Sequence, residues 1–339
     1  MWRQRLKSLL EWRWFAAVNS VIVMGLVALL LSRRVDSVDL HGLLSRLRVG
    51  WLFTAILMGF LVVLCAALRT KDIYSREAGT RVPLLPTFRL LLVGLFMTYA
   101  APIAVAADIA RVGLFRLRFG IALDASARAT VFDRLIGALG LIVAGLLTFF
   151  LQPVLTESRS LEMFQAAILG GACALVAAVL AVSWMPFDLR WGPGRTALVW
   201  VKRLGEHFKR PDFIVKQTGF ALLQVGCSAA TFWMVAKAVS LDIPMLSILA
   251  FAPLILFVNS LPFLYAGWGG RELITVVTFG ALHVPSDEAL LVSIGYRLVM
   301  LIVALPGAAL WLARPTFRKA GQSAMASTRR RGVREIATG

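Results

Sequence analysis

The chain has 339 residues, of which 59% are hydrophobic and only 16% charged, and its mean hydropathy is +0.79. This composition excludes a soluble globular protein and predicts an all-α polytopic membrane protein. The formal net charge is +18, but most Lys and Arg lie between or beside apolar runs, which favours basic cytoplasmic loops over a nucleic-acid-binding surface. The three cysteines and three histidines are scattered, so we expect no disulfide framework, no metal site and no cofactor.

The first predicted element is an uncleaved transmembrane helix at 14–31. It follows four basic residues, is about 18 residues long, and is followed by Ser32-Arg33-Arg34 rather than by a cleavage site between small residues. Leucines at helical intervals in 36–48 predict a short interfacial helix. Further full spans are predicted at 51–68, 134–151, 164–184, 217–239 and 289–312. The basic residues Arg69, Lys71, Arg76 and Arg81 predict a loop directly after Leu68.

Two further apolar segments contain prolines and small residues and end in charges. Thr98–Arg111 reads TYAAPIAVAADIAR and Asn259–Glu272 reads NSLPFLYAGWGGRE. In each, an arginine follows the proline by nine residues, from Pro102 to Arg111 and from Pro262 to Arg271. Backbone outside helical hydrogen bonding is tolerated at membrane depth only under protein or beside a water-filled cavity, and charges there are costly. We predict that these segments form the two halves of a transport site.

The charges of the loops orient the segments. Residues 185–212 contain six Lys or Arg and the tail after Ala313 contains seven, whereas 152–162 has one arginine and two glutamates. The positive-inside rule therefore predicts that both basic regions, and both termini, are cytoplasmic. Both flanks of 84–107 then also lie inside, which predicts a re-entrant hairpin there, and 245–285 is predicted to enter and return on the outer side.

The predicted architecture is six full spans plus two re-entrant helical hairpins, or about eight hydrophobic segments by hydropathy. Span, hairpin and span at 51–151 match span, hairpin and span at 217–312, and the two units enter from opposite faces. Inverted-topology repeats of this kind typically serve alternating access to a site at the midplane. We expect residues 1–313 to form a single transmembrane domain and 314–339 to be a basic, disordered cytoplasmic tail.

The closing helices of the two halves agree in detail. The sequence VFDRLI around Arg134 can be aligned with IGYRLV around Arg297, which puts each arginine roughly ten residues, or about 15 Å, into its helix. Arginine there costs roughly 2.5 to 3.5 kcal/mol on insertion scales and predicts a partner or a use. Arg134 has Asp133 and Asp108 within reach, whereas we expect Arg297 to contact Glu272. The alternative is a chance likeness between two apolar helices.

Three motifs resemble a known family. They are Asp108-x-x-Arg111, Asp133-Arg134-x-x-Gly137 and Pro262-x-x-x-x-Gly267-Trp268-Gly269-Gly270-Arg271-Glu272. The chain resembles the flippase-like integral membrane family that includes the transmembrane region of lysylphosphatidylglycerol synthases, over roughly residues 10–315. Ala106 and Ala107 stand where glycines are expected. The soluble aminoacyl-transferring domain is missing from the sequence, so the resemblance implies lipid translocation rather than synthesis.

The candidate site residues suit a lipid headgroup, because arginine can hold phosphate in two hydrogen bonds and stays protonated. The predicted substrate-binding residues are Asp108, Arg111, Asp133, Arg134, Arg271, Glu272 and Arg297. The predicted hairpin backbone residues are Pro102, Pro262, Gly267, Gly269 and Gly270. The structural alternative is that Arg111 pairs with Asp108, and Arg134 with Asp133, only to fix the hairpins.

Three classes of function remain open. The first is a flippase that moves an anionic or polyprenyl-linked lipid between leaflets of the cytoplasmic (inner) membrane. The second is a lipid-modifying enzyme, or a non-catalytic membrane partner of such an enzyme or of an envelope-biosynthesis enzyme. The third is a non-transporting scaffold. The predicted repeat favours the first class over the third, and the sequence offers no nucleophile–base–acid set or Gly-rich phosphate loop for an enzyme. Without a nucleotide-binding motif, pumping would require an ion gradient or a partner.

Overall fold

The computed structural model describes residues 47–100, 106–149, 210–260 and 270–312, together with isolated positions between 163 and 209. Across this part of the chain the regular structure is entirely helical. The continuous helices are α1 Val49–Ala78, α2 Leu84–Ala100, α3 Ala106–Phe119, α4 Leu123–Phe149, α5 Pro211–Ala238, α6 Met245–Ser260, α7 Gly270–Gly280 and α8 Ser286–Leu312.

Four of these helices, α1, α4, α5 and α8, are long and apolar enough to cross a membrane. Their 27 to 30 residues correspond to roughly 40 to 45 Å, which exceeds the hydrocarbon core of about 30 Å. They contain most of the spans predicted at 51–68, 134–151, 217–239 and 289–312. The predictions for 14–31, 36–48 and 314–339 lie outside the described residues, and 164–184 is described only at isolated positions.

Two of the long helices extend well beyond their predicted ends. Helix α1 continues from Leu68 to Ala78 and ends at Gly79, whose φ of 64° gives the left-handed cap that glycine favours. Helix α4 starts at Leu123 instead of Arg134. The prediction of a basic loop directly after Leu68 is therefore wrong. Hydropathy marks only the part of a helix that lies in hydrocarbon, whereas Arg and Lys continue a helix readily.

The proline-interrupted segments form pairs of short helices. Helices α2 and α6 have 17 and 16 residues, and α3 and α7 have 14 and 11. All are shorter than the roughly 20 residues that a span requires. Within each pair the two helices pack against each other. The links at 101–105 and 261–269, with Pro102, Pro262, Gly267 and Gly269, lie outside the described residues, and Gly270 is the first residue of α7.

Helices α1 and α5 form the most extensive contact between the described helices and run antiparallel. At one end, the backbone nitrogen of Arg48 donates to the carbonyl of Ala238 at 2.9 Å. Near the other end, the amide of Gln217 donates to Asp72 at 3.4 Å. The start of α1 thus lies beside the end of α5, and α2, α4, α6 and α8 pack against this central pair.

The other helix contacts occur in matching pairs. Helix α2 packs on α8 as α6 packs on α4, and α3 packs on α4 as α7 packs on α8. Two glycines permit equivalent close approaches. A Cβ on Gly59 of α1 would lie 2.8 Å from Val303 of α8, and one on Gly140 of α4 would lie 2.4 Å from Ala221 of α5. Small residues at helix crossings are what membrane proteins use to bring backbones close together.

Candidate functional site

A buried carboxylate, Asp133, holds together the charged residues of the first half. Arg69 of α1 donates from Nε to Oδ1 at 2.8 Å, and Arg111 of α3 donates from Nη1 to Oδ2 at 2.9 Å. The hydroxyl of Thr70 also donates to Oδ1, at 3.3 Å. The Asp133 side chain is only 3% exposed. Each carboxylate oxygen is therefore held by a guanidinium from a different helix.

The neighbouring arginine, Arg134, has the opposite environment. Its side chain is 53% exposed. Its guanidinium donates to both carboxylate oxygens of Asp108 on α3, from Nη2 to Oδ1 at 2.9 Å and from Nε to Oδ2 at 3.1 Å. We name Arg69, Arg111, Arg134, Asp108 and Asp133 together the first arginine cluster.

The pairs expected under the structural alternative are exchanged. Arg111 contacts Asp133, and Arg134 contacts Asp108. The expectation that Asp133 and Arg134 pair with each other is wrong because adjacent residues on a helix do not face each other. With about 100° between neighbours, Asp133 points into the helix packing while Arg134 points outward.

The second half has its own cluster on α7 and α8. Arg297 donates from Nη2 to Oε1 of Glu272 at 2.7 Å, and both side chains are largely buried. The predicted contact between Arg297 and Glu272 is therefore confirmed. Arg271 is also buried, and its guanidinium carbon lies 5.3 Å from the centre of the Tyr296 ring. We name Arg271, Glu272, Tyr296 and Arg297 the second arginine cluster.

Nearly equal offsets in the sequence relate the arginine–carboxylate pairs of the two clusters, although Arg111 and Arg271 lie 160 residues apart. Arg297 follows Arg134 by 163 residues, and the same offset carries Asp108 to within one residue of Glu272. The two equivalent arginines therefore pair with equivalent carboxylates. Each arginine is also eleven positions past the first residue of its helix, Leu123 or Ser286, so the alignment of the two closing helices extends to their depth.

The same offset also exposes a difference between the halves. At this offset, the position equivalent to Arg69 is Phe232 and the position equivalent to Asp133 is Tyr296. The rings of Phe232 and Tyr296 stack with their centres 3.9 Å apart at an interplanar angle of 9°. The ion pair of the first half is thus replaced by an aromatic stack in the second half. In the first cluster, the buried carboxylate of Asp133 is shared between two arginines.

Both clusters carry an excess of positive charge. The first contains three arginines and two carboxylates, and the second contains two arginines and one carboxylate. Ionised groups surrounded by apolar helices require pairing, and a cluster with one more cation than anions suits an anionic ligand. Among the described residues, no group of three His, Cys, Asp or Glu side chains could hold a metal ion.

Sequence reasoning missed Arg69 and its partner Gln224. Arg69 follows an apolar run directly and was assigned to a loop, although α1 carries it onward beside Asp133. Its Nη1 donates to Oε1 of Gln224 on α5 at 3.1 Å. A glutamine inside the span 217–239 was the available signal, because polar side chains inside membrane helices tend to hydrogen-bond across helices.

A comparison with known proteins assigns the chain to a family. No curated protein matches it. The family described as lysylphosphatidylglycerol synthase TM region matches residues 17–307, a range that contains both arginine clusters. Most of the chain is covered by this match, and the helices described above are those of a multi-pass membrane protein. The chain belongs to the lysylphosphatidylglycerol synthase TM region family, and so to the membrane proteins related to lipid modification or translocation.

Proposed function

We propose that this protein is a lipid flippase, not an enzyme, that moves an anionic or polyprenyl-linked lipid between the leaflets of the cytoplasmic membrane. The observation that carries the proposal is the pair of arginine clusters at equivalent positions of the two halves, each with one excess positive charge. Guanidinium groups in a poorly solvated site are suited to hold a phosphate as it leaves the headgroup region.

The helix packing supports a repeat behind this activity. The antiparallel pair α1 and α5 opens the two proposed halves, and the contacts made by α2 to α4 correspond to those made by α6 to α8. Inverted repeats allow alternating access, because the two halves can exchange conformations around a site at the midplane. On this proposal the short helix pairs are re-entrant hairpins, and both termini are cytoplasmic.

The two equivalent arginines differ in exposure in a way that supports transfer between them. The Arg134 side chain is 53% exposed, whereas that of Arg297 is 6% exposed. In an alternating cycle, one side of the site is open while the other is closed. We propose that the lipid phosphate enters on the side that is open in this structure, where Arg134 lies, and that rocking of the halves closes that side and opens the other.

Reconstitution into liposomes tests the proposal. Labelled phosphatidylglycerol and a labelled polyprenyl phosphate are incorporated, and the rate at which the label reaches the opposite leaflet is followed with a membrane-impermeant quencher. We expect transfer of at least one of these lipids above the rate of protein-free liposomes. Transfer of neither lipid, with the protein inserted and folded, would reject the flippase proposal.

The second candidate is a non-catalytic partner of a lipid-modifying or envelope-biosynthesis enzyme. It is favoured by the family description, which names the transmembrane region of a synthase. The same liposomes distinguish the two candidates. A partner would leave lipids in place when reconstituted alone, whereas a flippase moves them without further protein.

A further inference from the structure

We infer that Arg69 is a positioning residue. By donating to one oxygen of Asp133, it prevents the guanidinium fork of Arg111 from closing on that carboxylate, so that the fork stays open for a phosphate ester anion. Gln224 holds Arg69 in place. The inference deepens the proposed function and rests on it for the use of the site. It concerns two residues outside the predicted site and assigns the first contact with the anion to Arg111.

The argument begins with the two oxygens of Asp133. Nε of Arg69 and the hydroxyl of Thr70 both donate to Oδ1. Arg111 reaches only Oδ2, with a single bond from Nη1 at 2.9 Å. A two-bond arginine–carboxylate pair requires both oxygens side by side. As long as Arg69 and Thr70 both donate to Oδ1, that oxygen has no room for a third donor, and Arg111 cannot close its fork on Asp133.

The remaining atoms of Arg111 agree with an open fork. Its Nε is buried and has no hydrogen-bond partner within the described part of the chain. A buried donor without a partner is destabilising, so its retention requires a compensating use. The Arg111 side chain is also 18% exposed, compared with 8% for Arg69, which leaves a ligand some access to Arg111.

Arg69 itself is poorly placed to bind a ligand. Its Nε is used by Asp133, and its Nη1 donates to Gln224 across the interface between α1 and α5. Gly137 of α4 lies against the guanidinium, since a Cβ there would be 3.6 Å from both terminal nitrogens. These three contacts fix the orientation of Arg69, which therefore acts through Asp133.

Two comparisons within the molecule show that the open fork is specific to Arg111 of the first half. Arg134 contacts both oxygens of Asp108, so its fork is closed in this conformation. In the second half, the position equivalent to Arg69 is Phe232, which cannot compete for a carboxylate. The open fork is thus a feature of the first half. The balance of Arg69, Arg111 and Asp133 is one positive charge, which matches the single charge of a phosphodiester.

The test measures binding by the purified full-length chain of three probes: dihexanoyl phosphatidylglycerol, inorganic phosphate and uncharged dihexanoylglycerol. We expect Arg69→Gln to weaken phosphatidylglycerol binding about tenfold or more, since hydrogen bonds to charged groups contribute roughly 1.5 to 3 kcal/mol. The variant removes the Arg69 bond to Oδ1 and leaves only that of Thr70, so that Arg111 can close on Asp133 and the excess charge disappears. Arg69→Lys should recover part of the affinity, and Gln224→Leu should weaken binding less than Arg69→Gln.

The decisive variant is the double substitution Arg69→Gln/Asp133→Asn. It restores the excess charge and removes the carboxylate on which Arg111 would close, so we expect affinity to return to within about threefold of the parent protein. A purely structural role for Arg69 would make the double variant worse than the single variant. Arg81→Gln, which removes a charge from an exposed position, is the matched control and should bind like the parent.

The outcomes separate the sources of phosphate and the two proposals. Binding that depends on Arg69 supports the inference. If only phosphatidylglycerol binds, the ligand is a lipid; if inorganic phosphate binds as well, the site takes a free anion. Parent-like binding by Arg69→Gln, failure of the double variant to recover, or no binding by the parent would overturn it. If binding depends on Arg69 but the parent moves no lipid in liposomes, the flippase proposal fails while the inference stands.

Discussion

At the scale of single residues, the adjacent pair Asp133 and Arg134 shows how helix geometry divides charged groups between structure and function. Asp133 is enclosed between two arginines, whereas Arg134 reaches outward to Asp108. Removing one member of a buried ion pair leaves the other charged and desolvated, at a cost of roughly 3 to 5 kcal/mol. An exposed pair contributes only about 0 to 1 kcal/mol.

The first prediction compares the two aspartates. Asp133→Asn should destabilise the protein by about 3 to 5 kcal/mol, because Arg69 and Arg111 lose their shared partner. Asp108→Asn should change stability by no more than about 1 kcal/mol, since its partner is over half exposed. Unfolding in detergent measures both variants. Equal destabilisation by the two substitutions would contradict the assignment of Asp133 as the structural centre.

The second prediction concerns Arg297. Arg297→Gln should abolish lipid transfer while leaving the protein inserted and folded, because the glutamine amide can still donate to Glu272 in place of the guanidinium. Arg297→Lys should recover only part of the rate, since a point charge lacks the planar fork. Transfer rates in liposomes and elution as a folded species test these statements, with Arg81→Gln as the control. A parent-like rate for Arg297→Gln would return the second cluster to a structural role.

At the scale of helices, the sequence predicted the apolar parts well and the charged ends poorly. Hydropathy located the four long helices, but it could not show that α1 continues past Leu68, because charged residues at a helix end look like a loop. The pairing of Arg69 with Asp133 joins residues 64 positions apart, and no local pattern encodes it. The pairing of Arg297 with Glu272 was predictable because that arginine has no acidic neighbour in its own sequence.

The third prediction tests the crossing of α4 and α5. A Cβ on Gly140 would lie 2.4 Å from that of Ala221, so Gly140→Ala should push the helices apart and destabilise by about 1 to 3 kcal/mol. Gly219→Ala on α5 is the matched control, because no atom lies within 4 Å of its added Cβ. Since alanine is the better helix former, the control should be neutral or slightly stabilising. Thermal unfolding midpoints compare the two, and similar values would argue against the close crossing.

At the scale of the whole molecule, the two halves share a plan but not a chemistry. The contacts among helices correspond, as do Arg134 and Arg297 with their carboxylates. The interior differs, because an ion pair in one half takes the place of an aromatic stack in the other. On the proposed function, such a difference lets a lipid headgroup be held more firmly on one side than on the other. The repeat itself stays a prediction from motif spacing, and the difference between the interiors follows from packing that no motif encodes.

The fourth prediction concerns the membrane topology on which the repeat depends. Val82, just before α2, belongs to the same buried apolar cluster as Phe115 near the end of α3 and Ile121 just after α3. Both ends of the helix pair therefore pack into one cluster, which favours a re-entrant hairpin over a single crossing. The exposed positions Arg81 and Arg116 flank this pair and are suited to labelling.

With the native cysteines replaced, single cysteines at Arg81 and Arg116 should both react with an impermeant maleimide only when it has access to the cytoplasmic side. The positive-inside rule gives the side, because the segments around both positions are rich in arginine. A cysteine placed in the 152–162 loop is the control for the opposite side. Labelling of Arg81→Cys and Arg116→Cys from opposite faces would mean that 84–119 crosses the membrane. That result would also reject the proposed inverted repeat.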